Sequence, residues 1–181
     1  MSQVYLFLAP GFEEIEALTV VDLLRRAGIS IATVSIHNTL SVTGAHDITV
    51  NADLMFDDTD FSTANMLVLP GGSPGTCNLN AFDPLKVLLN DFYSNKKYIA
   101  AICAAPMILG HLGFLKNRKA TCYPGFEKDL VGAFHCTEPV VVDGTVITSR
   151  GLGTAIEFAS TLIAKLKDAT TSEQIKKQII Y

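Results

Sequence analysis

VYLFLAPGFEEIEALTVVDLLRRAGISIATVSI, residues 4–36, decides the fold class of the chain. VYLFLA is an unbroken apolar run that ends at a Pro-Gly turn, which predicts a strand buried on both faces. EEIEALTVVDLLRRAG then carries apolar residues three apart from Ile15 to Leu24, which is helical spacing, and Gly28 suits a C-terminal cap. Because IATVSI (31–36) is strand-like again, the stretch predicts a β-α-β unit.

The alternation of strands and helices continues along the chain. Buried strands are predicted for MLVLP (66–70), which leads into the loop GGSPG, and for YIAAI (98–102). SVTG and DITVNAD predict a small hairpin or an edge segment, and the runs that flank Asp143-Gly144 in PVVVDGTVITS (139–149) predict a hairpin. The predicted helices run from Asp83-Pro84, as N-cap and first residue, to about Ser94, and through APMILGHL, TAIEFASTLIAKLKD and SEQIKKQIIY. This order predicts one α/β sandwich domain, residues 1–181, with a mainly parallel sheet.

The composition excludes several classes of protein. With 49% hydrophobic residues, 18% charged residues and a net charge of −4, the chain is globular and lacks the basic patch of a nucleic-acid-binding protein. No apolar run approaches the roughly 20 residues of a membrane span, and the N-terminus has no targeting pattern. The four cysteines show neither CxxC spacing nor clustering with histidine, which argues against a zinc site or disulfides. We expect a cytoplasmic protein with free thiols and no metal.

Cys103, in IAAICAAPMILG, is the first residue that could carry chemistry. A strand that ends at Ile102 and a helix that begins near Ala104 place it in a tight turn, which is the geometry of a nucleophile elbow. The N-terminus of the helix would then favour thiolate over thiol. The alternative is that Cys103 fills the core as a small hydrophobic residue, which is the commoner role for a lone cysteine in apolar surroundings.

Two further segments end at the same edge of the predicted sheet, where the ligand sites of α/β proteins lie. GGSPG has neither a Walker A nor a dinucleotide-binding pattern, so Gly71 and Gly72 predict an oxyanion hole built from backbone amides, or else an ordinary turn. Glu16 has no basic residue four positions away, so no ion pair on the helix surface explains it. It is either a solvated surface residue or, if buried, a protonated hydrogen-bond donor.

APGFEEIEA, LVLPGGSPG, AAICAAP and TSRGLGTAIEF resemble, in this order, the motifs of the ThiJ/PfpI superfamily, and in particular its parkinsonism-associated deglycase branch. The resemblance implies a flavodoxin-like three-layer α/β/α sandwich, a homodimer and a reactive cysteine at the elbow. In that branch a glutamate of the first helix hydrogen-bonds the cysteine, and these roles fall on Glu16 and Cys103. The resemblance places the oxyanion amides at Gly72 and Ala104, and it implies no cofactor.

Tyr123 is where the chain departs from the branch, which often has a histidine before the proline of TCYP. A phenol is a poor base at neutral pH but can orient a carbonyl group. Ala104 stands where the protease branch has a histidine, so proteolysis is not expected. The resemblance implies a glyoxalase acting on methylglyoxal or glyoxal, or a deglycase of protein or nucleotide adducts. The alternative is a redox-sensing, chaperone-like stress protein without turnover, whose Cys103 oxidises to sulfinate.

Overall fold

The fold is given by a computed structural model that describes residues 3–181. The strands are β1 (Val4–Leu8), β2 (Ile31–Ser35), β3 (Ser41–Thr43), β4 (Thr49–Asn51), β5 (Leu54–Met55), β6 (Met66–Leu69), β7 (Tyr98–Ile102), β8 (Lys119–Ala120), β9 (Phe134–His135), β10 (Val140–Asp143) and β11 (Val146–Ser149). The helices are α1 (Glu14–Arg26), α2 (Ser73–Ala81), α3 (Asp83–Ser94), α4 (Pro106–His111), α5 (Ala155–Leu166) and α6 (Ala169–Gln178).

A sheet of seven strands forms the middle layer, in the order β10-β11-β7-β6-β1-β2-β5. All neighbouring strands are parallel except those of the hairpin β10–β11. β3 and β4 pair as a separate antiparallel hairpin, as the sequence predicts. β8 and β9 form a short parallel pair in a segment for which the sequence predicts no element.

The alternation of side chains along β1 explains why both faces of the sheet are covered. Leu6 and Leu8 belong to the core that includes buried residues of α1 and α5, whereas Tyr5 and Phe7 belong to the core that includes residues of α3 and α4. The strand is therefore apolar at every position. The predicted three-layer α/β/α sandwich with a mainly parallel sheet is confirmed.

α2 occupies the segment for which the sequence predicts only a glycine-rich loop. The helix starts directly after Gly72, whose φ of +90° is in the region that favours glycine. At Gly75 the helix passes so close to Phe12 that an added Cβ would lie 2.7 Å from its backbone. Because SPGTCNLNA is rich in weak helix formers, its local sequence does not indicate a helix.

α1 buries only half of the apolar residues that predict it. Val21 and Leu24 are buried, but Ile15 is 50% and Leu18 is 38% exposed. Its inner face instead includes the carboxyl-bearing Glu16. The helix therefore presents an apolar stripe to its surroundings and a titratable group to the interior.

The strand order changes direction between β1 and β6, and such a switch point is where open α/β sheets bind ligands. α1 follows β1, α2 follows β6, and the next parallel strand, β7, ends at Ile102. The three predicted chemical segments thus meet at the carboxyl edge of the sheet. No helix in the described residues is long and apolar enough to span a membrane.

Candidate active site

Cys103 lies in the turn between β7 and α4 with a φ of +65°. A non-glycine residue in this region costs about 1–3 kcal/mol and persists only where its surroundings hold it. Here the Cys103 N–H donates to the Ser149 carbonyl at 3.0 Å, and the Cys103 carbonyl accepts from the Tyr123 N–H at 2.8 Å. The predicted nucleophile-elbow geometry is confirmed.

Glu16 is the buried acid of the site, with 1% of its surface exposed. Its Oε2 accepts a hydrogen bond of 2.9 Å from the Gly71 N–H, whereas its Oε1 has no hydrogen-bond partner among residues 3–181. Burial raises the pKa of Glu16 to about 7, although contact with the Cys103 thiol and the Gly71 amide partly offset this. The alternative of a solvated surface glutamate is wrong.

Gly71 brings the acid and the thiol together because it has no side chain. A Cβ at this position would lie 2.5 Å from Cys103 Cβ and 2.5 Å from Glu16 Oε2, and 3.1 Å from the sulfur. Its N–H is already used by Glu16. The amides of Gly72 and Ala104 act on the Cys103 sulfur instead, since both lower the pKa of the thiol, and Gly71 serves to position Glu16.

The Cys103 thiol is harder to ionise than the sequence predicts. Burial, the negative charge of Glu16 and the hydrogen bond with it raise the pKa of Cys103 to about 12, and the amides of Ala104 and Gly72 act in the opposite direction. The predicted lowering by a helix N-terminus is wrong, because α4 starts only at Pro106 and is six residues long. Since two adjacent negative charges are disfavoured, the acid and the thiol share one proton between about pH 7 and 12.

Tyr123 lies at the rim of the site. Its N–H bond to Cys103 anchors its backbone to the elbow, and its half-exposed ring lies against Gly151. A Cβ on Gly151 would lie 3.1 Å from the Tyr123 ring and 3.8 Å from Glu16 Oε1. The sequence places Gly151 in a loop beside the site, but its approach to both side chains is a tertiary contact with no local signal.

Glu13, Glu14 and His46 form a cluster whose donor atoms lie within 4.8 Å of one another and could hold a metal ion. His46 already donates its N–H to the buried Glu14 at 2.8 Å, and its Nδ1 lies 2.9 Å from the other oxygen of that carboxylate. These contacts raise the pKa of His46, chiefly through the side-chain hydrogen bond. We assign the cluster a structural role, which is to tie the β3–β4 hairpin to the start of α1.

Other candidate residues lie apart from the acid and the thiol. Arg150 donates to the Thr137 carbonyl at 3.1 Å, and His111 pairs with Asp129 at 3.3 Å. Cys122 is buried, and chiefly for that reason its pKa is raised to about 11. All four cysteines of the chain are free.

Comparison with known proteins identifies relatives of the whole domain. The model of the DJ-1/PfpI family matches residues 2–165. Protein DJ-1 homolog B of Arabidopsis thaliana is 37% identical over 161 residues, which are 88% of this chain and 37% of that longer protein. Protein dj-1beta of Drosophila melanogaster is 33% identical over 96% of this chain and 94% of its own. A deglycase of Pyrococcus abyssi is 32% identical over 91% of this chain and 99% of its own.

Solved structures share the architecture over the full chain. A DJ-1 superfamily protein from Salmonella typhimurium, solved as its C103A mutant, superposes with a TM-score of 0.95 at 34% identity and covers 100% of this chain and 99% of its own. Oxidized DJ-1 of Toxoplasma gondii superposes with a TM-score of 0.95 at 32% identity, with the same coverage.

Proposed function

The chain belongs to the DJ-1/PfpI family, and from this we propose that it is a cofactor-independent, cysteine-dependent enzyme for small dicarbonyls. Its substrates are glyoxal and methylglyoxal, or the early adducts that they form on proteins and nucleotides. The observation that carries the proposal is the buried Glu16, whose pKa of about 7 suits a general base and which contacts the thiol of the elbow residue Cys103. The name of the Pyrococcus relative, a deglycase, supports the same class of chemistry.

The first step is addition of the Cys103 sulfur to the aldehyde carbon. Glu16 takes the proton of the thiol as the carbon–sulfur bond forms and passes it to the former carbonyl oxygen, so no stable thiolate is required. The product is a neutral hemithioacetal, and Glu16 is a carboxylate again. The amides of Gly72 and Ala104 favour the charged form of the sulfur, so we place the oxygen of the attacked carbonyl group beside them. They stabilise that oxygen while its negative charge develops.

The second step is an internal oxidation and reduction. The Glu16 carboxylate moves the proton from the former aldehyde carbon to the neighbouring ketone carbon, while the hydroxyl proton of the hemithioacetal passes to the ketone oxygen. The first carbon is thereby oxidised to a thioester and the second is reduced to an alcohol. Water then cleaves the thioester, releases the hydroxy acid and restores the Cys103 thiol. In the overall reaction, one molecule of methylglyoxal and one molecule of water give one molecule of lactate, with no external oxidant or reductant.

Tyr123 has a supporting role in this proposal. Its ring lies at the rim of the site, where its hydroxyl group can orient a carbonyl oxygen by hydrogen bonding. We assign it no role as a base.

A second copy of the chain is the partner that we propose. Ile15 and Leu18 form an exposed apolar stripe on the same helix that carries Glu16, and Ile48 of the adjoining hairpin is also exposed. A symmetric contact through α1 would bury this stripe against itself. The free cysteines fit a reducing compartment, so a cytoplasmic location remains part of the proposal.

The alternative is a redox-responsive protein whose Cys103 is oxidised stepwise by peroxide to sulfinate. The observation that favours it is that Tyr123 stands where related proteins often have a histidine. Glu16 is therefore the only base that we assign to the site. The two functions differ in turnover, since the enzyme regenerates its thiol and the sensor does not.

The test is lactate formation from methylglyoxal by the reduced protein. We expect Cys103→Ser and Glu16→Gln each to lose activity by about a hundredfold or more, as is usual for a nucleophile or a general base. Cys77→Ser, which changes an exposed cysteine of α2, is the matched control and should retain activity. A folded wild type that forms no lactate while Cys103 is oxidised rapidly by peroxide would reject the enzyme and favour the sensor.

A further inference from the structure

Two main-chain hydrogen bonds hold Cys103 in its turn, and one of them comes from the last residue of β11. The Ser149 carbonyl accepts the Cys103 N–H at 3.0 Å, and the Tyr123 N–H donates to the Cys103 carbonyl at 2.8 Å. Because its φ is +65°, Cys103 keeps this conformation only while its surroundings hold it. The position of the Ser149 carbonyl therefore affects where the Cys103 side chain lies.

The buried side chain of Ser149 belongs to a chain of hydrogen bonds that crosses the loop after β11. The Gly151 N–H donates to Thr154 Oγ1 at 3.1 Å, and Thr154 Oγ1 lies 2.7 Å from Ser149 Oγ. Ser149 Oγ donates in turn to the Pro139 carbonyl at 2.8 Å. Because a hydroxyl group has one proton to donate, we assign the proton between the two hydroxyl groups to Thr154. The Thr154 hydroxyl group thus ties Ser149 to the start of α5.

We propose that Thr154 is a positioning residue for Cys103, because its hydroxyl group fixes Ser149, whose carbonyl holds the strained turn. What depends on this turn is the contact of the Cys103 thiol with Glu16, which is so close that Gly71 beside it has no room for a Cβ. A small shift of the turn therefore separates the acid from the thiol. Both candidate functions use Cys103, so the inference does not depend on the dicarbonyl reaction.

Thr154→Val tests the proposal, because it removes the hydroxyl group and keeps the shape of the side chain. Burial and the charge of Glu16 raise the pKa of Cys103, so a sulfur that moves away from Glu16 is easier to ionise. We expect iodoacetamide to alkylate Cys103 about tenfold faster than in wild type at pH 8, which corresponds to a fall of about one pKa unit. Thr154→Ser keeps the hydroxyl group and should keep the wild-type rate. Thr161→Val is the matched control, since the Thr161 hydroxyl group donates to the Glu157 carbonyl within α5.

Ser149→Ala breaks the same chain of hydrogen bonds at its middle. It should accelerate alkylation as much as Thr154→Val does, and the double variant should gain nothing further, because both changes act through one chain. Mass spectrometry of the cysteine peptides measures the rates, and the buried Cys122 reports unfolding, so its alkylation should stay slow.

Four results would overturn the role of Thr154. They are an unchanged Cys103 rate in folded Thr154→Val or in Ser149→Ala, a rate in Thr154→Ser as high as in Thr154→Val, gains that multiply in the double variant, and an equal gain at Cys122. The measurement needs no turnover, so it tests this role even in a protein that forms no lactate.

Discussion

Replacing Glu16 by glutamine should change how the stability of the protein depends on pH. The folded protein holds the Glu16 proton with a pKa of about 7, whereas the ordinary value is 4.5. Because the pKa is raised on folding, the protonated carboxyl contributes stability that is fully present below about pH 4.5. That stability is lost as the pH rises through about 7. Glutamine keeps a neutral amide at this position and cannot undergo the loss.

The size of the effect follows from the two pKa values. One pKa unit corresponds to about 1.4 kcal/mol, so a rise from 4.5 to about 7 corresponds to about 3 kcal/mol. Glu16 is 1% exposed, so solvent screening does not reduce this value. The free energy of unfolding of wild type should therefore fall by about 3 kcal/mol relative to Glu16→Gln between about pH 4.5 and about pH 8.5.

Urea unfolding of both proteins across this range measures the difference, and titrations common to both proteins cancel in it. Glu138→Gln, which changes an exposed glutamate, serves as the control and should follow the wild-type curve. If the curves of wild type and Glu16→Gln run parallel from acid to alkaline pH, the raised pKa of Glu16 is refuted. The general-base role that depends on it would then lose its basis.

Three further predictions concern the surroundings of the site. Gly71→Ala should destabilise the protein by about 1–3 kcal/mol in urea unfolding, because its Cβ overlaps the acid and the thiol, whereas Gly153→Ala should not. His46→Asn should lower the melting temperature more at about pH 6 than at about pH 9, since a raised histidine pKa stabilises the fold below that pKa and is lost above it. Ile15→Glu should reduce the mass in analytical ultracentrifugation from dimer to monomer, whereas Val87→Glu, at a more exposed apolar position on α3, should not. A wild-type monomer would contradict the proposed dimer.

The fold was largely predictable because its signals are local. β1 is apolar at every position and is followed closely by Pro10, and a strand with that pattern must be covered on both faces. The turn at Cys103 was predictable for a related reason, since the predicted strand and helix left only Cys103 between them, although α4 starts at Pro106. α2 was not predictable, because its nine residues include glycine and asparagine and its position depends on the close approach of Gly75 to Phe12.

The chemistry of the site was only partly predictable, because pKa values depend on what lies nearby in space. The sequence identifies Cys103 and Glu16 but cannot show that the missing side chain of Gly71 allows them to come into contact. The sequence predicts that the N-terminus of a helix beside Cys103 favours a thiolate, whereas burial beside a carboxylate raises the pKa of the thiol. Gly151 illustrates the same limit, since its close approach to Tyr123 and Glu16 is a contact between distant parts of the chain.

The shared proton of Glu16 and Cys103 gives a way to separate the two candidate functions. Oxidation by peroxide needs only the sulfur, which displaces hydroxide from the peroxide to form a sulfenic acid. Lactate formation needs a base as well, because a proton must move from one substrate carbon to the next. Glu16→Gln removes both the base and the negative charge that raises the Cys103 pKa.

The variant should therefore lose lactate formation by about a hundredfold or more while Cys103 reacts with peroxide at least as fast as in wild type. Mass spectrometry of the Cys103 peptide during exposure to peroxide, run beside the lactate assay, measures both rates on the same protein. An equal loss of both reactions would mean that Glu16 acts only by activating the sulfur, and the proton transfer between carbons would need another base. A loss confined to lactate formation supports Glu16 as that base, because the oxidation of Cys103 by peroxide requires no proton transfer between carbons.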